Sequence, residues 1–203
     1  MEFEKQAHYP IFLKLENFSC LVIGGGKVAA RKISTLVSAG AKPHIVATKL
    51  CDATMAIVRK HNLQWQERAF QPGDTRNYQI VIAATNSSTT NNTIANEALA
   101  SKSLVNNISN SDLCNFILPA TLNMPPLQIA ISTMGQLPML SHALKQHFAQ
   151  RISAESIDLL NEISHIRQQI IEQSGNNEQA KHSAFDEKLK PLLDRFIEQL
   201  TTP

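Results

Sequence analysis

Two stretches of this sequence carry residues whose types and spacing suit chemistry. The first, "VIGGGKVAARK", contains Gly24-x-Gly26-x-x-Ala29. Gly24 permits a tight turn, Gly26 lets backbone approach a pyrophosphate, and Ala29 lets a helix pack close to the preceding strand. The pyrophosphate would rest on the helix N-terminus, where free N–H groups and the dipole favour an anion. The pattern follows the strand-like run "SCLVIGGG" and opens a helix-like one, which is the context a dinucleotide fingerprint needs. A site for NAD usually ends the second strand in Asp or Glu, to hold the ribose 2′-OH. Here "KPHIVATKL" ends in Thr48 and Lys49. Thr48 can bond a ribose hydroxyl and Lys49 suits a 2′-phosphate, which leaves a slight lean toward NAD over NADP. The second stretch is "LVNNISNSDLCNF", residues 104–116, polar between apolar ends, with Asp112 its only acid. Asn amides bind carboxylates or carbonyls, but they take no proton. The stretch reads as an ordinary solvated loop or as the floor of a site.

Composition narrows the classes. The chain has 203 residues, 43% of them hydrophobic, enough to bury a core of useful size. A formal net charge of +2 is too small for a nucleic-acid stripe. No apolar run approaches the length of a membrane span. "MEFEKQAHYP" has no apolar segment of the kind a secretory leader carries. Cys20, Cys51 and Cys114 lack paired spacing, which points to a reducing cytoplasm and small buried thiols. The histidines are scattered. His142 and His147 are five apart and share a helix face poorly, so no metal-ligand set is expected.

The elements that must position these residues alternate. "KVAARKISTLVSAG" has a helical stripe of Val28, Ile33, Leu36 and Val37, and Gly40 ends it. "KPHIVAT" reads as a second strand, "CDATMAIVRKHN" as a helix, and "YQIVIAATN" as a third strand covered on both faces. "STTNNTIANEALASK" reads as a helix and "SLVNNI" as a fourth strand. This alternation predicts an α/β fold with a parallel sheet. After Cys114 the pattern changes. "PPLQIAIST" reads as a strand after a Pro-Pro break, and "LPMLSHALKQHFAQRI" as a helix from Pro138. From about residue 151 only helices are expected. Ile157, Leu160, Ile163, Ile166 and Ile170 make one apolar face, and "FDEKLKPLLDRFIEQL" makes a final amphipathic helix disturbed by Pro191. The expected division is a nucleotide-binding domain over residues 1–113, a connecting segment over 114–150 and a helical domain over 151–203.

Several motifs then line up in order. "YPIFLKLENFSCLVIGGGKVAARKISTLVSAGA", "VIAATNSSTTNNTIANEA", "LVNN…LCNFILPA" and "PPLQIAIST" with its following Gly and Pro resemble the precorrin-2 dehydrogenase and sirohydrochlorin ferrochelatase family, the N-terminal part of siroheme synthase. The resemblance covers roughly residues 9–150 and continues weakly into the tail. It implies a Rossmann-type parallel-sheet domain, a dimerisation segment and a small helical domain. It implies oxidation of precorrin-2 to sirohydrochlorin with NAD, and in some members insertion of Fe²⁺. The chain is too short for a methyltransferase domain, so precorrin-2 would come from a separate enzyme. The resemblance also implies that Lys27 and Val28 line the pyrophosphate turn, and that Thr48 and Lys49 lie beside the adenosine ribose. Thr85 and Asn86, with Asn106, would lie near the nicotinamide half, and Asn115, Ser132 and Thr133 on the substrate side. A homodimer is implied too, with "PPLQIAIST" and the helix after it as interface material.

Several positions depart from the family pattern, Leu137 in place of a Ser among them. Its loop reads approximately "V-N-V-x-D-x-P-x-x-C-x-F", with the Asp acting in the chemistry. Asn106, Cys114 and Phe116 align, and Ser109 stands at the Asp position. A serine hydroxyl is un-ionised near neutral pH and is no general base. Asp112, three residues on, is the nearest substitute. Met134 replaces a glycine, which predicts a narrower cleft or a changed backbone angle. His142 stands where an Arg is common, and an imidazole can help move protons. Ser109, Asp112 and His142 are therefore the candidate catalytic residues. Two readings follow: an NAD-dependent dehydrogenase, or an altered relative that binds a tetrapyrrole or NAD(H) as a carrier or partner.

Overall fold

A computed structural model describes residues 8–201; most of the N-terminal stretch read as lacking a leader lies outside them. The chain forms two compact units, one up to Ile117 and one from Leu118.

In the first unit, β1 (Cys20–Ile23) leads into α1 (Lys27–Ser38), β2 (His44–Val46) into α2 (Asp52–His61) and the short β3 (Trp65–Gln66), and β4 (Ile80–Ala83) into α3 (Ser88–Ala100) and β5 (Leu104–Asn107). The strands order as β3-β2-β1-β4-β5, and every pairing is parallel. This is the expected Rossmann-type α/β sheet. β1 and β4 are buried at every position, because helices cover both faces of a parallel sheet. Leu21, Ile23, Val81, Ile94, Ala98 and Val105 pack into one apolar cluster between sheet and helix. α1 stops where expected: Gly40 takes φ +89° just past the end, a conformation that favours glycine. β3 was absent from the sequence reading. Two residues at a sheet edge make no periodic signal, so "YQIVIAATN" forms the fourth strand and not the third.

The second unit opens with an antiparallel hairpin, β6 (Ala120–Met124) and β7 (Leu127–Ile131), joined through a cis Pro125–Pro126 bond. β7 falls where a strand was expected, while β6 was not foreseen. Helices α4 (Pro138–Arg151), α5 (Ala154–Ser174), α6 (Glu178–Lys188) and α7 (Lys190–Thr201) follow. The expected single final helix is two, broken at Leu189, because the ring of Pro191 removes an N–H and suits the first turn of a new helix. Leu159, Ile163, Ile170, Leu189 and Phe196 form this unit's core, with Leu160 and Ile166 packed against it. Ser153 and Asn177 cap α5 and α6, each side-chain oxygen accepting from a first-turn N–H.

Candidate functional site

The glycine turn is built by close approach of backbone to backbone. Gly24 takes φ +130°, and a Cβ there would meet the carbonyl oxygen of Ala84 at 2.1 Å. A Cβ on Gly25 would meet the Lys49 carbonyl oxygen at 2.1 Å, so this glycine is as constrained as Gly24. At Gly26 a Cβ would meet nothing within 4 Å. Bare backbone there faces open space, the cradle a pyrophosphate requires. Gly26 is also the N-cap of α1, and neither a capping side chain nor a first-turn acid competes for the free N–H groups. Lys27 is exposed and Val28 half-buried in that first turn, and fully buried Ala29 permits the close helix packing. Thr54, a fully buried residue of α2, holds the turn from behind. Its hydroxyl donates to the Gly25 carbonyl oxygen at 3.0 Å, with that of Gly26 at 3.3 Å. Thr54 also lies 3.3 Å from the Cys51 sulfur, and that bond lowers the thiol's pKa. Thr48 and Lys49 are exposed just beyond β2.

The ends of β4 and β5 are joined by asparagines. Asn91, fully buried in α3, accepts through Oδ1 from the backbone N–H of Thr85 at 2.9 Å and from its hydroxyl at 2.7 Å. Its Nδ2 donates to the Thr85 carbonyl at 3.1 Å and to Ser109 Oγ at 2.7 Å. Asn107 repeats the arrangement one strand over. Its Nδ2 donates to Asn92 Oδ1 at 2.9 Å, and its Oδ1 accepts from the Ser109 N–H at 2.8 Å. Ser109, itself exposed, is thus fixed to α3 and to β5, in one constellation with Thr85. Asn86 is exposed beside it in sequence, and Asn106 is buried, with Nδ2 donating to the Phe116 carbonyl at 3.4 Å. All these residues stand at or just past the C-terminal ends of β1, β2, β4 and β5. The chain reverses its winding between β1 and β4, and the crevice there is where open α/β sheets take ligands.

Sequence reading singled out neither Thr54, Asn91, Asn92 nor Asn107. A signal was present: Thr and Asn are poor formers of helix interiors, and here they sit inside α2 and α3 because their side chains serve the neighbouring turns.

Other candidates are placed differently. Asp112 is exposed in a short 3₁₀ turn, Ser111–Leu113, whose backbone is fixed by Asn110 Oδ1 accepting the Asp112 N–H at 3.0 Å. Its carboxylate has no part in the Asn91 constellation. Asn115 is committed to structure. Its Oδ1 accepts from the Val105 N–H at 2.6 Å and its Nδ2 donates to the Ser103 carbonyl at 2.7 Å, covering the open edge of β5. Lys32, half-buried on α1, has its amine pKa lowered by burial and partly restored by the nearby Cys114. Ser132, Thr133 and His142 belong to the second unit. Ser132 Oγ accepts from the Met134 N–H at 3.0 Å, and Thr133 Oγ1 accepts from the Leu137 N–H at 3.1 Å. His142 is exposed on α4 beside Met139 and Ala143, in a shallow groove. Met134 takes φ +53°, a left-handed angle that favours glycine. Among the described residues no group of three or more His, Cys, Asp or Glu is placed to hold a metal, and no helix is long and apolar enough to cross a membrane.

Comparison with known proteins adds four findings. Residues 11–120 match a family described as "Putative NAD(P)-binding". Siroheme synthase 1 of Cronobacter sakazakii is 36% identical over 147 residues, 72% of this chain and 31% of that protein. Siroheme synthase of Psychromonas ingrahamii is 39% identical over 139 residues, 68% of this chain and 29% of that protein. The chain therefore spans about a third of the length of these relatives. Among solved structures, one titled SirC, precorrin-2 dehydrogenase, shares the fold with a TM-score of 0.76 at 24% identity, covering 95% of this chain and 98% of the other.

Proposed function

The chain belongs to the NAD(P)-binding family that its residues 11–120 match, and on that premise we propose that it oxidises precorrin-2 to sirohydrochlorin with NAD. The observation that carries the reading is the open, side-chain-free face at Gly26 on an uncapped α1, beside the strand ends that bear Thr85 and Ser109. A bound nicotinamide supplies the hydride acceptor, so that precorrin-2 yields sirohydrochlorin, NADH and a proton. In this reading Gly24, Gly26, Lys27 and Val28 hold the pyrophosphate, and Thr48 and Lys49 flank the adenosine ribose. Thr85, Asn86 and Asn106 border the nicotinamide half. Hydride transfer requires the two partners to be held close and aligned, and a rigid Asn91–Thr85–Ser109 constellation provides such a wall. Ser132, Thr133 and His142 belong to the substrate side of the proposal. A cytoplasmic homodimer and insertion of Fe²⁺ as a second activity complete it.

The resemblance to siroheme synthases over 139 to 147 residues supports this assignment, as does the fold shared with a precorrin-2 dehydrogenase. A second reading, a carrier that binds tetrapyrrole or NAD(H) without turnover, is favoured by one observation. The position of the family's acid is Ser109, and exposed Asp112 makes no bond to the constellation. Anaerobic incubation of the full chain with precorrin-2 and NAD⁺, followed by absorbance of sirohydrochlorin and NADH, separates the two. Turnover at an enzyme-like rate supports the dehydrogenase. Tight tetrapyrrole binding without turnover sinks it and leaves the carrier. Running the titration with NADP⁺ alongside tests the choice of cofactor at Thr48 and Lys49.

A further inference from the structure

We propose that Ser109 is a hydrogen-bond donor of the site, held in that polarity by Asn91, and that it binds a carbonyl or carboxylate oxygen of a ligand. The inference rests on the dehydrogenase reading for the identity of its ligands, NAD⁺ and a polycarboxylate tetrapyrrole. The orientation of the Asn91 amide is set by chemistry. The backbone N–H of Thr85 can only donate, and it lies 2.9 Å from one end of the amide, so that end is the oxygen. The other end is therefore the NH₂. One of its hydrogens goes to the Thr85 carbonyl and one to Ser109 Oγ at 2.7 Å. Ser109 accepts there, so its own hydroxyl hydrogen must point elsewhere. The Ser109 N–H is used on Asn107 Oδ1, no acceptor among the described residues takes the hydroxyl hydrogen, and Ser109 is exposed just past the C-terminal end of β5.

This polarity is opposite to that of a carboxylate at the same place. A carboxylate accepts from Asn91 and still offers only lone pairs to the cleft. Serine accepts from Asn91 and offers a hydrogen. The replacement thus reverses what the position recognises: an oxygen with lone pairs is held where a proton would have been taken. Two sources supply that oxygen, the carboxamide of the cofactor and a side-chain carboxylate of the tetrapyrrole. Asn91 is a positioning residue, since it acts through Ser109.

The test measures binding, not turnover. NAD⁺ and sirohydrochlorin are each titrated into the full chain by calorimetry, for wild type, Ser109→Ala, Ser109→Thr, Ser109→Asp, Asn91→Ala and the double variant Asn91→Ala with Ser109→Ala. Ser109→Ala is expected to weaken one of the two ligands about tenfold, the loss typical of a hydrogen bond to a polar or charged acceptor. Whichever ligand weakens is the source of the oxygen. Ser109→Thr keeps the hydroxyl and retains the affinity. Ser109→Asp weakens the same ligand more than alanine does at pH 8, because an acceptor then faces an acceptor. Asn91→Ala weakens that ligand in the wild-type background and adds little once Ser109 is alanine. A general loss of folding would instead add in both backgrounds. Unchanged affinity for both ligands in Ser109→Ala, or tighter binding in Ser109→Asp, overturns the donor role. Wild-type protein that binds NAD⁺ but does not oxidise precorrin-2 overturns the dehydrogenase reading alone, and the affinity measurements still decide the donor role.

Discussion

At Met134 the chain takes φ +53°, and Gly135 follows at +78°. The sequence suggested a narrower cleft or a changed backbone angle here. The structure shows a methionine that tolerates the left-handed angle while half of its surface stays exposed, 50%. A non-glycine residue in that region costs about 1 kcal/mol or somewhat more, and replacing it by glycine returns some of that as unfolded-chain freedom, about 0.5–1 kcal/mol. Met134→Gly is therefore expected to stabilise the second unit by roughly 0.5 kcal/mol. A urea midpoint that rises slightly with an unchanged slope would show it, and a midpoint that falls would contradict it. At this scale the sequence revealed the residues whose types are diagnostic. Gly24 and Gly26 were readable from spacing alone. Gly25 was not, because its reason is the Lys49 carbonyl, brought to 2.1 Å of its missing Cβ by a second βα turn. Asn91 was hidden for the same cause: its partners Thr85 and Ser109 meet only when β4 and β5 pair.

Elements with long apolar runs were legible, and short or edge elements were not. β1 and β4 declare themselves by near-continuous burial, while β3 has two residues and β6 lies before a Pro-Pro pair that reads as a break. The edge of β5 shows what the sequence could not supply. Asn115 looked like a ligand-binding amide in a polar loop. In the fold its backbone N–H donates to the Val105 carbonyl at 3.2 Å while its side chain satisfies the Val105 N–H and the Ser103 carbonyl. One residue thus does the work of an extra strand along an otherwise open edge, which is how sheets avoid pairing with other chains. Asn115→Ala leaves two edge groups without partners and is expected to cost about 1–3 kcal/mol. Thermal unfolding with and without saturating NAD⁺ checks it. The expected result is a lower unfolding temperature with NAD⁺ affinity nearly retained. A large loss of affinity at unchanged stability would return Asn115 to the ligand site.

Over the whole molecule, pH acts through groups that the fold has moved from their ordinary behaviour. Arg68, bonded to both oxygens of Asp74 at 2.7 and 2.8 Å, holds that carboxyl below its usual pKa. Burial opposes ionisation of Glu97, yet donation from the Thr75 hydroxyl and from the Gly73 and Thr75 N–H groups lowers its pKa as well. Folded values below the unfolded ones mean that this stability is present above about pH 4 and is lost as pH falls further. Cys20 works on the other side, since burial pushes its thiol up to about 11. Its contribution is complete below the unfolded value of about 8.5 and is lost as pH rises from there toward 11. Urea midpoints from pH 3 to 10 should fall at both ends, and Cys20→Ala should flatten the alkaline fall. An alkaline limb identical in the variant would remove Cys20 as its source. Association is the remaining property at this scale. Leu137, Met139 and Leu140 stand exposed at the start of α4, with Met139 88% accessible, and a lone chain rarely leaves such neighbours to water. The proposed homodimer would cover them. A stable interface removes about 800 Å² from each partner, with its energy concentrated in a few central apolar residues. Met139→Lys places a charge where that centre would lie, on a helix surface whose folding does not depend on the residue. Sedimentation at tens of micromolar protein should therefore give twice the chain mass for wild type and the chain mass for the variant, with circular dichroism unchanged. A wild type that sediments as one chain, or a variant that remains paired, would leave α4's apolar start outside any self-association.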